Sequence, residues 1–175
     1  DAFEPIVASG TNSALPHARA STKIIGKSEM VTLDFGCVVN GYHSDMTRTI
    51  FVGKPKPKAV TIFNIVLEAQ QKAIAAAKPG ISVKELDSVA RDFIKDAGYG
   101  EYFKHSLGHG IGLQIHEQPK ISAFNKATLR AGNVVTIEPG IYIPNFGGVR
   151  IEDDIVIRNG DADIITKATK EQMVL

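Results

Sequence analysis

Two runs rich in β-branched and aromatic residues, Met30–Val39 and Tyr42–Val52, carry polar residues spaced between the apolar ones and are joined by Asn40-Gly41. The pattern predicts two strands, and Asn-Gly is well suited to a two-residue hairpin turn. With that loop Val39 faces Tyr42 and Gly36 faces Asp45, which sets Asp34 on the same face as Asp45, as its diagonal neighbour. Thr32, Thr47 and Thr49 share this polar face, whereas Leu33, Phe35, Met46 and Ile50 point the other way.

Beyond the hairpin the period changes. Ala59, Ile62, Phe63, Val66, Leu67 and Ile74 recur at helical spacing until Pro79-Gly80 stops the run. Ser82-Val-Lys-Glu85 reads as a capping box opening a second helix, whose stripe of Leu86, Val89, Ala90, Phe93 and Ile94 ends at Gly98. Both helices should cover the back of a sheet. In Asn133–Ile137, Val135 and Ile137 share a side, so Glu138 falls on the opposite one before Pro139-Gly140. Val149–Ile157 reads as one strand, with Val149, Ile151, Ile155 and Ile157 alternating with Arg150, Glu152, Asp154 and Val156.

Composition narrows the class without naming it. A chain of 175 residues, 43% hydrophobic and 22% charged, can bury one sizeable core, and a single domain over residues 1–175 is expected. A net charge of +1 gives no argument for a nucleic-acid partner, and Lys54-Pro-Lys-Pro-Lys58 reads as a loop. No apolar run approaches the roughly 18 residues of a membrane span, so no membrane partner is expected. Cys37, the only cysteine, is expected to be a buried small hydrophobe in a reducing cytoplasm.

The candidate chemistry is metal binding. Asp34, Asp45, His109, Glu138 and Glu152 come from four segments, and four carboxylates with one imidazole suit two hard divalent ions sharing a water. Two close aspartates on one hairpin face repel each other unless a cation neutralises them. His105-Ser-Leu-Gly-His109-Gly-Ile-Gly-Leu-Gln-Ile-His116 gathers three of the five histidines among glycines that let backbone approach a ligand. His43, near the hairpin turn, is read as a surface or structural residue.

Leu33-Asp34-Phe35-Gly36, Ser44-Asp45-Met46-Thr47-Arg48-Thr49, Gly108-His109-Gly110-Ile111-Gly112, Thr136-Ile137-Glu138-Pro139-Gly140 and Arg150-Ile151-Glu152-Asp153 resemble, in order and spacing, the motifs of the pita-bread metallopeptidases. Leu15-Pro16-His17-Ala18, His105 and Arg150 favour the proline-specific branch, Xaa-Pro dipeptidases (prolidases) and Xaa-Pro aminopeptidases, over methionine aminopeptidases.

The resemblance implies an α+β pita-bread (creatinase/aminopeptidase) fold, an antiparallel curved sheet with helices on its outer face. It implies hydrolysis of the bond preceding proline by a metal-bridging hydroxide. In this reading Asp34 chelates one ion, His109 and Glu138 the other, and Asp45 and Glu152 bridge them. Manganese is the first expectation, with cobalt or zinc as alternatives. Glu138 shuttles the proton, His116 stabilises the tetrahedral intermediate, and His17 positions the leaving side. His105, Tyr142 and Arg150 line the proline and carboxylate end. Partners implied are small proline-containing peptides and, for the full-length form, a second copy in a homodimer. Dipeptidase is favoured; aminopeptidase P, methionine aminopeptidase and a non-catalytic peptide-binding module are the alternatives, in that order. The family normally has two more helices before the strand that resembles Phe3–Ala8, so the sequence reads as an N-terminally shortened catalytic domain.

Overall fold

The computed structural model describes residues 1–175. Strands β1 (Ile6–Ser9), β2 (Glu29–Phe35), β3 (Val38–Val39), β4 (Tyr42–His43) and β5 (Met46–Val52) precede two helices, α1 (Pro57–Ala76) and α2 (Val83–Asp96). The remaining strands are β6 (Gly108–Gly110), β7 (Glu117–Ile121), β8 (Val134–Ile137), β9 (Gly140–Ile143), β10 (Gly147–Arg150), β11 (Asp153–Val156) and β12 (Asp163–Ile164). They form a sheet β1-β2-β5, a hairpin extension β3-β4, a pair β10-β9 and a sheet β12-β11-β8-β6-β7, in which every pairing is antiparallel.

The hairpin register is the expected one: Asp34 pairs with Thr47 and Val39 with Tyr42. Asn40 and Gly41 both have positive φ, 52° and 84°, the combination a two-residue turn of this hand demands. Between the two ladders the strands pinch together at Gly36, where a Cβ would lie 1.9 Å from the Ser44 carbonyl oxygen. Only glycine fits there.

One feature of the hairpin differs from a solvated acidic face. Thr32, Asp34, Thr47 and Thr49 are buried, while Phe35 on the opposite face is 44% exposed. Thr49 Oγ1 donates to the Arg150 carbonyl and accepts from the Arg150 N–H, so the polar face is the one that packs on β10. Cys37 also departs from expectation. It is exposed beside Ser44, because the pinch at Gly36 separates it from the regular alternation of β2.

Both helices begin as their sequences require. Pro57 opens α1, where its missing N–H costs nothing, and the Ser82 side chain accepts from the Glu85 N–H to cap α2. Their buried stripes, Ile62, Phe63 and Val66 with Leu86, Ala90 and Ile94, join Val135, Ile137, Val149, Ile151 and Ile155 in one core. Full burial of each large side chain contributes about 1.5–3 kcal/mol. The helices therefore hold one face of these strands and leave the other to polar groups.

Val149–Ile157 is not a single strand. The alternation holds, but the run divides at Ile151-Glu152: β10 pairs with β9, and β11 pairs with β8 and β12. The Glu152 N–H donates to the Thr47 carbonyl at the break. The break turns Glu152 toward β5.

Candidate metal centre

The structure brings the four expected acids and one imidazole to one cleft of about 1600 Å³, which Asp34, Asp45, His109, Glu138 and Glu152 all line. Asp45, His109 and Glu152 form its tight centre, each offering a ligand atom within 4.8 Å of the others. His109 Nε2 lies 3.7 Å from Asp45 Oδ2 and 3.6 Å from Glu138 Oε1. Asp34 stands beside this group, its Oδ2 paired with the Arg150 guanidinium.

Local structure dictates each placement. Gly108 lets β6 approach β8 so closely that a Cβ would meet the Thr136 carbonyl oxygen at 1.9 Å. The Thr136 hydroxyl accepts from the His109 N–H. His109 Nδ1 lies 2.9 Å from the Gly110 carbonyl, a contact that needs the proton on Nδ1 and leaves the Nε2 lone pair facing the acids. Glu152 accepts from the Thr47 hydroxyl at 2.7 Å, and Arg150 Nε donates to the same hydroxyl at 2.9 Å.

The electrostatics are those of acids crowded in a low-dielectric site. Burial, then Asp34, Glu138 and Asp154, push Asp45 up to about 8. Burial pushes Glu138 up to about 7 against the pull of Arg150. Glu152 lies well above its ordinary value through burial and the neighbouring Glu138, Asp45 and Asp34. Burial holds His109 down to about 4, so the imidazole is neutral and able to ligate. Burial opposes the Arg150 charge, yet Tyr142, Asp34, Glu152 and Glu138 outweigh it and raise its pKa.

These residues fit divalent cations. Asp34 Oδ1 and Asp45 Oδ1 are buried with no hydrogen-bond partner, although a buried polar atom ordinarily has one. Four hard oxygen ligands and one imidazole match such ions, and the cost of gathering four acids falls when cations neutralise them.

Around this centre His17, His105, His116 and Arg150 line the same cleft. His116 is exposed, with its ring edge on His109 at 4.3 Å between centroids. His105 Nε2 lies 2.8 Å from the Tyr142 hydroxyl, and Arg150 Nη1 donates to that hydroxyl at 2.9 Å. A chain thus runs His105, Tyr142, Arg150, Asp34. His43 stands apart; its N–H donates to the Gly112 carbonyl.

Two supporting residues carry no role in the sequence reading beyond their place in an alternating pattern. Thr47 ties Arg150 to Glu152, and its signal was its place two residues beyond Asp45 on the same face. Asp154 is buried and its Oδ2 accepts from the Asp45 N–H at 3.0 Å, which makes it an orienting rather than a solvated acid.

The sequence model of metallopeptidase family M24 matches residues 1–159. The chain is 56% identical over 170 residues to an Xaa-Pro dipeptidase of Pyrococcus furiosus, covering 97% of this chain and 49% of that protein. It is similar to the structure of an Xaa-Pro dipeptidase from Bacillus anthracis, with a TM-score of 0.98, 53% identity, and coverage of 99% of this chain and 49% of that one. An X-Pro aminopeptidase from Thermotoga maritima gives a TM-score of 0.97 at 46% identity, covering 99% and 49%. The chain spans about half the length of the curated relatives it matches. No helix is long and apolar enough to cross a membrane.

Proposed function

Because the chain belongs to metallopeptidase family M24 and has the α+β pita-bread fold expected from its motifs, we propose that it hydrolyses the peptide bond preceding proline in dipeptides or short peptides. The observation that carries this reading is the convergence of Asp45, His109 and Glu152, with Asp34 and Glu138 at their side, on one cleft. The names of its relatives support the proline specificity.

In this reading Asp34 would hold one cation, His109 and Glu138 a second, and Asp45 and Glu152 would serve both. Bound there, divalent ions supply Lewis acidity that acidifies a water and polarises the scissile carbonyl. Manganese is the first candidate, since an oxygen-rich set with one imidazole favours hard ions; cobalt and zinc also suit it.

The rest of the work falls to side chains. Glu138, whose Oε1 lies 3.6 Å from His109 Nε2 in the cleft, takes a proton from the attacking water and returns it to the leaving nitrogen. His116 donates a hydrogen bond to the oxyanion as it forms, a contribution of about 10²–10³ in rate. His17 orients the leaving side of the peptide. His105 and Arg150 present a wall to proline and the adjoining carboxylate, with Tyr142, which does not itself line the cleft, hydrogen-bonded to both from behind.

The proposal takes residues 1–175 as one catalytic domain. It also takes a homodimeric full-length form, for which exposed Val38, Val39, Tyr42 and Leu113 offer apolar surface, and a cytoplasmic setting, in line with the free Cys37 thiol. Cleavage of longer peptides, as an Xaa-Pro aminopeptidase, is the second reading, and similarity to the Thermotoga maritima protein favours it.

The test is release of the N-terminal alanine from Ala-Pro and from Ala-Pro-Ala by the full-length protein, stripped with chelator and then resupplied with Mn²⁺. Mn²⁺-dependent release from Ala-Pro supports the dipeptidase. Cleavage of the tripeptide alone assigns the aminopeptidase, and inertness of the metal-loaded protein toward both defeats the proline-specific reading.

A further inference from the structure

Arg48 sits on β5 with its side chain opposite the acidic face, in register with Leu33, and is 5% exposed. Its guanidinium has five N–H groups. Nε donates to the Thr169 carbonyl at 2.9 Å, and Nη1 donates to the Thr47 carbonyl at 2.9 Å and to the Glu152 carbonyl. Nη2 donates to Asp153 Oδ1 at 2.7 Å and to the Ala168 carbonyl at 2.9 Å. All five are used.

These contacts fall where the sheets leave a gap. Glu152 lies in the break between β10 and β11, so neither ladder holds its backbone. Instead the Glu152 N–H bonds the Thr47 carbonyl and the Glu152 carbonyl bonds Arg48. Asp153, fully buried, completes the fixture: its Oδ2 accepts from Gln70 of α1 at 2.8 Å and from Lys170 at 2.6 Å.

The segment after β12 supports the second ligand as well. The Asp154 N–H donates to Thr166 Oγ1 at 3.0 Å, the Ile165 N–H donates to the Asp154 carbonyl, and Asp154 in turn accepts from the Asp45 N–H. Farther on, Met173–Leu175 bonds the backbone of Phe51 in β5 and of Gly53 just beyond it. Residues 165–170 thus touch the supports of both Asp45 and Glu152, from beyond the part of the chain the family match covers.

We propose that Arg48, Asp153 and the strap of residues 165–170 form a brace that sets the spacing of the Asp45 and Glu152 carboxylates, with Arg48 as a positioning residue for the paired ions. The proposal rests on the metallopeptidase reading above. A brace of this kind acts through main chain: it aims two acids that repel each other, and it touches neither substrate nor cation. Lysine in place of Arg48 keeps the charge but has three donors on one nitrogen and cannot reach five acceptors spread across three segments.

The experiment is equilibrium dialysis of the full-length protein against Mn²⁺, with circular dichroism and Ala-Pro kinetics on the same samples. Arg48→Lys is expected to fold, to keep one tightly bound ion, and to bind the second at least ~10-fold more weakly, with kcat reduced more than KM is raised. The double variant Lys170→Met/Thr166→Val, which touches only the strap, should weaken the second ion in the same sense. If Arg48→Lys does not fold, the double variant decides. Two ions bound with wild-type affinity by a folded variant that merely melts earlier would overturn the brace. A wild-type protein that takes up fewer than two Mn²⁺ would instead defeat the metallopeptidase reading, and the brace with it.

Discussion

The Thr47 hydroxyl donates a 2.7 Å hydrogen bond to Glu152 Oε2, joining residues 105 positions apart in the chain. The same hydroxyl accepts from Arg150 Nε, so one small side chain separates and satisfies a buried anion and a buried cation. Thr47→Val keeps the shape and removes both bonds. Leaving the partners unmet should cost about 1–3 kcal/mol of stability. Chemical denaturation reads that loss directly; a variant as stable as the parent would show that the two charges satisfy each other without the hydroxyl.

Gly36 sets the approach of the two strands that carry Asp34 and Asp45. An alanine there would press its Cβ to 1.9 Å from the Ser44 carbonyl oxygen, which belongs to backbone and cannot swing aside. Gly36→Ala should therefore cost about 3 kcal/mol or more, at the upper end of overpacking penalties. Gly160→Ala, with no atom within 4 Å of the new methyl, is the control. Melting temperatures of the two variants decide: similar values would mean that the strands separate at little expense.

The metal-free protein should lose stability as pH rises from about 6.5 toward 8. Asp45 and Glu138 are held up at about 8 and about 7, above ordinary carboxyl values of 3.8 and 4.5. Between the unfolded and folded values the folded state binds more protons than the unfolded one, so stability falls with rising pH. His109, held down to about 4 from 6.5, acts in the opposite sense below about 6.5, which confines the clear fall to higher pH. Ligation requires these acids to lose their protons, so Mn²⁺ should release protons and stabilise the fold more strongly at pH 8 than at 6.5. Melts in chelator and in Mn²⁺ across that range test both slopes. A metal-free melting temperature that climbs toward pH 8 would contradict the account.

The parts of this site that could be read from sequence are those governed by neighbours along the chain. Asn40-Gly41 admits the two positive φ angles of a tight hairpin turn, so the Asp34–Thr47 register followed directly. Ser82 and Glu85 announced the start of α2 in the same local way. What lay beyond reach was decided across the fold. Alternation shows that Thr32, Asp34 and Thr47 share a face, yet burial of that face depends on β10 packing against it. The break at Ile151-Glu152 leaves no mark on the periodicity of Val149–Ile157, because Thr47 and Arg48, a hundred residues earlier, hold the interrupted backbone. Cys37 fails for a related reason: the pinch at Gly36 carries it out of step with β2, and it reaches solvent.

His109 and His116 stack ring edge to face at 4.3 Å, but their environments assign them different work. His109 is buried with its Nε2 turned to Asp45 and Glu138, so His109→Ala should abolish binding of at least one ion. His116 is exposed in the cleft and belongs to no group of ligand atoms, so His116→Ala should leave metal content intact while lowering kcat by about 10²–10³. His105 gives a third signature. Its ring lines the cleft while its Nε2 meets the buried Tyr142 hydroxyl behind, and loss of a wall that grips substrate and transition state alike raises KM with kcat little changed. Metal analysis and steady-state kinetics on the three alanine variants separate these outcomes. If His116→Ala loses metal in step with activity, its role is ligation; if His105→Ala lowers kcat alone, the His105–Tyr142 pair acts on the chemical step and not on binding.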